Sequence, residues 1–280
     1  MASATAATAG VRRKRALPSG IFRAKNVPAF LLVTTLICGT AVAQSAQPER
    51  VKIYAAAVVK APLTAIAAEF EKATGNKVAL VFDTAGATAQ KFRSDPDAAL
   101  LITTVPLIRA AENSGALKDG ISLLLGSTAA SVAVPPKAPK PDVSTPDKML
   151  AALLAARRIA VSDPARGATV GTHFMKMIEA LGIKEQVLPK ITFASDGFAT
   201  MRLVLEEGVD MGVSQSSEIL QANPESMAGP FPKEFALVTD FSLWHRNNIA
   251  PAVKDFVAAL TSAAGRQKLA ADGILPAAER

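Results

Sequence analysis

From Val51 onward the chain alternates short apolar runs with segments whose apolar residues recur every three to four positions. VKIYAAA (51–57), NKVALVF (76–82) and AALLITT (98–104) are β-prone runs. After the first, Leu63, Ile66, Ala67 and Phe70 share a helical face, and Gly75 stands where a C-cap would. A second helix is expected from the turn Thr84-Ala85-Gly86-Ala87-Thr88 to about Ser94. A third spans PLIRAAENSG, with Pro106 in its first turn and Gly115 at its end. An apolar strand at Ala130–Val134 precedes a stretch with five prolines between Pro135 and Pro146, which reads as a surface connection and domain crossover.

The alternation then resumes. Helix MLAALLAA, strand RIAVSDP, helix GTHFMKMIEALG, strand KITFAS, helix DGFATMRLVLEEG capped by Asp196, and strand VDMGVSQ follow in order. After Gln215 the pattern loosens through NPESMAGPFPKEF, two strand-like pieces follow (ALVTD and FSLWH), and two helices finish the chain. Strands alternating with helices predict an α/β fold with mainly parallel sheets flanked by helices. The economical organisation is two lobes: residues 50–131 begin the first, 132–220 form the second, and 221–280 complete the first.

Composition changes the picture mainly at the N-terminus. Residues 1–43 hold six basic residues, no acidic one, and the apolar run AFLLVTTLICGTAVA, the pattern of a secretory signal peptide, with an uncleaved anchor as the alternative. Of 31 Lys+Arg and 24 Asp+Glu in the whole chain, removal of that leader leaves 25 against 24, a net charge of +1. That balance gives no reason to expect a nucleic-acid partner. The single cysteine, Cys38, lies in the leader, so no disulfide is expected in the mature protein.

IYAAAVVKAPLTAIAAEFEKATGNKVALVFDTAGATAQKF resembles the opening of the molybdate-binding periplasmic proteins of ABC importers, which have a strand ending in Ala-Ala-Ala-Ser-Leu and an A-x-x-F-E-x-x-T-G helix. RIAVSDPARGATVGTHFMKMIEALGI, DMGVSQSSEI and SAAGRQKLAADG are similar to later segments of the same family. The resemblance implies a two-lobed type II periplasmic binding protein with its ligand between the lobes, held by hydroxyls and backbone N–H groups at strand-to-helix turns. Carried over, the ligand-binding positions are Ala57 and Val58, Thr84, Ala85 and Gly86, Thr169 and Val170, and Gln215. Arg166 is either a solvated loop arginine or a charge partner for an anion. Helix N-termini suit anions whatever the family.

Several positions depart from the family pattern. Val58 replaces a serine, Thr84-Ala85 replaces Ser-Ser, Gln215 replaces a tyrosine, Ala99 replaces an aspartate, and DPARGATVG is one residue longer. Asp83 would oppose a dianion if it faced the cleft. The ligand is therefore either a molybdate-like oxyanion or a small organic acid, taken up or sensed. The resemblance implies an ABC permease as partner, a periplasmic location and a monomer. No cofactor is expected. His173 and His245 make no metal-binding spacing, nothing forms a nucleophile–base pair, and a non-enzymatic protein is expected.

Overall fold

The computed structural model describes residues 49–276, so the expected leader, with Cys38, lies outside the described residues. β1 (Arg50–Ala56) runs through a 3-10 turn (Ala57–Val59) into α1 (Lys60–Thr74). β2 (Lys77–Asp83), α2 (Ala85–Ser94), β3 (Leu100–Thr104) and α3 (Val105–Asn113) complete three β-α units. β4 (Gly120–Ala133), α4 (Pro146–Ala155), β5 (Ile159–Ser162), α5 (Thr169–Ala180), the single turn α6 (Lys184–Val187), β6 (Ile191–Ala194) and α7 (Gly197–Glu206) follow. The chain ends with β7 (Met211–Gln215), α8 (Ser216–Ala222), β8 (Met227–Pro230), β9 (Val238–Arg246), α9 (Pro251–Thr261) and α10 (Ala263–Ala271). The expected stops are in place: Gly75, Gly115 and Gly182 end their helices at φ 77, 73 and 69, a conformation that suits a residue without Cβ. Among the described residues no helix is long and apolar enough to cross a membrane.

The strands are ordered β2-β1-β3-β9-β4-β7-β5-β6, with β8 on β4. Two parallel triplets, β2-β1-β3 and β6-β5-β7, flank an antiparallel centre made by β9 and β4. β4 belongs to both sheets. Its first part, from Gly120 to Ala129, pairs with β9, and Ala130 to Ala133 pair with β7. A bulge interrupts it between Leu124 and Gly126, where Gly126 takes φ 155.

The crossing between sheets therefore occurs inside β4 and not in the proline-rich segment after it. The strand is hard to read from sequence because Ile121 and Leu124 are apolar yet exposed, which erases the period of two. The two pieces expected at ALVTD and FSLWH are the single strand β9, continuous through Asp240. β8 falls in the span expected to complete the first lobe, but it pairs with β4 in the second sheet, and Phe231 packs into the second core.

Each sheet has its own core. The first sheet buries Ile53, Leu100 and Ile102 against Leu63 and Phe70 of α1 and Phe256 of α9. The Phe70 and Phe256 rings meet edge-on at 5.2 Å. The second sheet buries Val132, Val161 and Val213 against Met149, Phe174 and Met177.

Candidate functional site

The parallel strands of both sheets deliver their carboxyl ends to one place, the usual position of a ligand in open α/β sheets. A cavity of ≈ 30 Å³ lies there. Ala56, Ala57, Val58, Asp83, Thr84 and Ala85 line it from the first sheet, and Ser162, Ala168, Thr169, Val170, Gly197, Gln215 and Glu218 from the second, with Phe241 of β9. Most of these residues stand where a helix begins: the 3-10 turn before α1, then α2, α5, α7 and α8. Thr84 Oγ1 caps α2 by accepting from the Ala87 N–H at 3.2 Å, and Asp196 caps α7 through the Ala199 N–H at 2.8 Å. The 3-10 turn and α5 have no side-chain cap. Their first N–H groups are thus left for something in the cavity.

Small residues let these backbones come close. A Cβ on Gly171 would lie 1.9 Å from the Ser162 carbonyl oxygen, so glycine is what allows the first turn of α5 to press on the end of β5. Thr103 Oγ1 donates to the Ala85 carbonyl at 2.8 Å and ties the start of α2 to β3. Gln221 of α8 donates to the Val58 carbonyl at 2.7 Å and accepts from the Ala61 N–H at 3.0 Å, which fixes the 3-10 turn.

Beside the cavity the two sheets touch through Asp83 and Arg166. Arg166 Nη2 donates to both carboxylate oxygens of Asp83, at 2.8 and 3.0 Å, and Arg166 Nε donates to the Ser195 carbonyl at 3.0 Å. Lys91 Nζ adds a bond of 2.6 Å and the Thr84 N–H one of 2.8 Å. Burial alone would raise the Asp83 pKa, but these partners outweigh it and hold the carboxyl below its ordinary value. Thr84 Oγ1 also donates to the Arg166 carbonyl, and the Gly86 N–H donates to Gly167 O at 3.1 Å. A Cβ on Gly86 would lie 2.7 Å from Gly167 Cα, so here backbone meets backbone.

The far wall carries two buried acceptors. Gln215 Nε2 donates to Thr239 Oγ1 at 3.2 Å, while its Oε1 has no partner. Glu218 Oε2 accepts from Ser214 Oγ at 2.6 Å and from the Gln215 N–H at 3.2 Å. Burial pushes the Glu218 carboxyl up to about 7; the Ser214 and Gln215 bonds oppose this, and the charge of Asp196 adds to it. A Cβ on Gly197 would lie 1.9 Å from Glu218 Oε2 and 2.1 Å from its Cδ, so the carboxyl occupies space that glycine leaves.

Residues 51–275 match the profile of the bacterial extracellular solute-binding proteins. The chain belongs to that family. A search of curated proteins by sequence gives no match. Among solved structures, this solute-binding protein is similar to the periplasmic molybdate-binding protein of Azotobacter vinelandii, with TM-score 0.64 and 16% identity over 80% of this chain and 98% of that one. It is similar to a putative phosphate ABC transporter substrate-binding protein with bound phosphate from Clostridium perfringens, with TM-score 0.62 and 12% identity over 81% and 99%. It is also similar to PEB3 from Campylobacter jejuni with bound L-phospholactate, with TM-score 0.59 and 18% identity over 80% and 98%. These likenesses establish the two-sheet periplasmic binding protein fold.

In this solute-binding protein Ala57, Val58, Thr84, Ala85, Thr169, Val170 and Gln215 line the cavity, while Gly86 and Arg166 sit beside it at the contact between sheets. Asp83 lines the cavity as well, but with its charge matched by Lys91 and Arg166. His173 Nε2 meets the Phe235 carbonyl at 2.7 Å, and His245 Nδ1 meets the Arg246 carbonyl at 2.6 Å. Sequence reasoning missed Ser162, Gly197 and Glu218. A usable signal existed for Glu218, because Q-S-S-E places an acid three residues after a strand end, as in a capping box.

Proposed function

We propose that this protein is the exported solute-binding component of an ABC importer and holds a small anion between two lobes. The first lobe is the first sheet with α1, α9 and α10, and the second is the second sheet with α5 and α7. The observation that carries the reading is the meeting of five helix starts on one cavity of ≈ 30 Å³. Aligned N–H groups and partial positive charge favour an anion there. The cavity is compact, which favours a small ligand over a peptide or a sugar chain. Fold neighbours that bind molybdate and hold phosphate support the same ligand class.

A small organic acid is the second reading. Val58 and Ala85 put apolar side chains on the wall where the related family carries hydroxyls, and the fold neighbour with bound L-phospholactate supports it. Binding would close the lobes, leader cleavage after residue 43 would release a periplasmic monomer, and the closed form would meet an inner-membrane permease. The reading treats the protein as a carrier and not as an enzyme.

A thermal-shift series with molybdate, tungstate, sulfate, phosphate and small carboxylates tests this. A ligand at 100 times its Kd adds about 2.7 kcal/mol of stability. A selective rise in Tm with an oxyanion or carboxylate is expected; no rise with any of them would overturn the reading.

A further inference from the structure

Glu218 puts a carboxyl into a site read as taking an anion. It is buried, it lines the cavity, and no lining residue carries a positive charge to offset it. The cavity is instead surrounded by helix starts that attract negative charge. An ionised ligand and an ionised Glu218 would share one small space of low dielectric, where like charges repel strongly.

The local structure keeps the carboxyl where it is. Ser214 Oγ and the Gln215 N–H hold Oε2, which leaves Oε1 as the oxygen available to a ligand. Gly197 has no Cβ, and any Cβ there would overlap the carboxyl. A carboxylate oxygen on the wall of an anion cavity calls for a hydrogen-bond donor on the occupant.

We infer that Glu218 makes the site selective for an anion that brings a donor, such as a monohydrogen oxyanion, and that the filled site holds one proton shared between ligand and Glu218. This rests on the anion-binding reading above and names the ligand class within it. A monohydrogen anion donates its own O–H to the Glu218 carboxylate. A fully ionised anion has no such proton. It binds only with Glu218 as the carboxylic acid, whose O–H then donates to a ligand oxygen, and above neutral pH that proton is taken from solvent.

The charged groups on the elements packed around Glu218 fit this scheme. Asp196, at the start of α7, lies near enough for its negative charge to favour the protonated form. Asp83, across the cavity, is matched by Lys91 and Arg166. Lys60, at the start of α1, is exposed with its ammonium 5.0 Å from the Phe198 ring. Asp272, after α10, has its own carboxyl pushed up by burial. Arg202 and Glu206 of α7, and Glu225 after α8, are exposed.

The test is titration calorimetry of the purified protein and Glu218→Gln with sulfate, molybdate and phosphate at pH 6, 7 and 8. Buffers of two ionisation enthalpies give the number of protons taken up per anion. For the wild type, sulfate and molybdate affinity should fall about tenfold per pH unit above pH 7, with about one proton taken up at pH 8. Hydrogen phosphate should hold its affinity at pH 8 with no uptake. In Glu218→Gln the amide N–H₂ replaces the acid O–H permanently. That variant should bind sulfate or molybdate at pH 8 as tightly as the wild type does at pH 6, without uptake, and a gain of this kind cannot come from misfolding. Binding by the wild type without proton uptake, or a pH slope that survives in Glu218→Gln, would overturn the inference and leave the anion reading standing. Absence of binding by both proteins at every pH would overturn both.

Discussion

Arg166→Ala removes a bidentate contact between the two sheets, and its consequences can be worked from the structure. The Asp83 side chain is 5% exposed and that of Arg166 is 43% exposed. Breaking a fully buried ion pair costs about 3–5 kcal/mol, while a hydrogen bond to a charged group is worth about 1.5–3 kcal/mol. Arg166 is half in solvent and Lys91 stays on Asp83, so the lower range applies. The loss falls on the arrangement in which the sheets touch, because Asp83 ends β2 of the first sheet and Arg166 follows β5 of the second. At 1.4 kcal/mol per factor of ten, the ligand Kd should rise roughly 10- to 100-fold. Calorimetry with the anion found by thermal shift measures this, and X-ray scattering should show an expanded ligand-free variant that saturating anion compacts again. Arg166→Lys keeps the charge for Asp83 but lacks the Nε bond to the Ser195 carbonyl, and should recover part of the affinity. A Kd within twofold of wild type together with unchanged scattering would refute the reasoning, because solvent would then replace the guanidinium at no loss.

Two further outcomes follow from the same region. Burial raises Glu218 from 4.5 to about 7, so the folded chain holds this proton more tightly than the unfolded chain does. Its contribution is complete below about pH 4.5 and is lost as pH rises to about 7, on the order of 3 kcal/mol; urea midpoints should therefore fall between pH 5 and 8 in the wild type and stay flatter in Glu218→Gln. Gly86→Ala puts a methyl 2.7 Å from Gly167 Cα, and relief of that overlap, about 1–3 kcal/mol, should raise the anion Kd more than it lowers the urea midpoint.

Local signals account for most of what could be read without coordinates. Leu63, Ile66, Ala67 and Phe70 place α1 because their burial follows its turn, and Gly75, Pro106 and Asp196 mark boundaries through backbone chemistry that needs no distant partner. β4 and β9 were legible only in fragments, since exposed Leu124 and mid-strand Asp240 are tolerated by pairing with residues more than a hundred positions away. α8 has seven residues, too few to show a helical period. The cavity wall divides the same way. Thr84 and Thr169 stand at helix starts that sequence can find, whereas the burial of Glu218 depends on the space beside Gly197, and the pairing of Arg166 depends on where β2 ends.

The position of β9 has a consequence for how the chain is made. β9 lies between β3 and β4, pairing Leu101 with Trp244 and Gly120 with Arg246, so the first sheet lacks a middle strand until residue 246 has been synthesised. The bridge from Ser127 to Leu275 comes later still. Contacts of such long sequence separation form slowly and only in a nearly finished chain. A nascent polypeptide of this kind cannot complete its first sheet until most of its length has been translated.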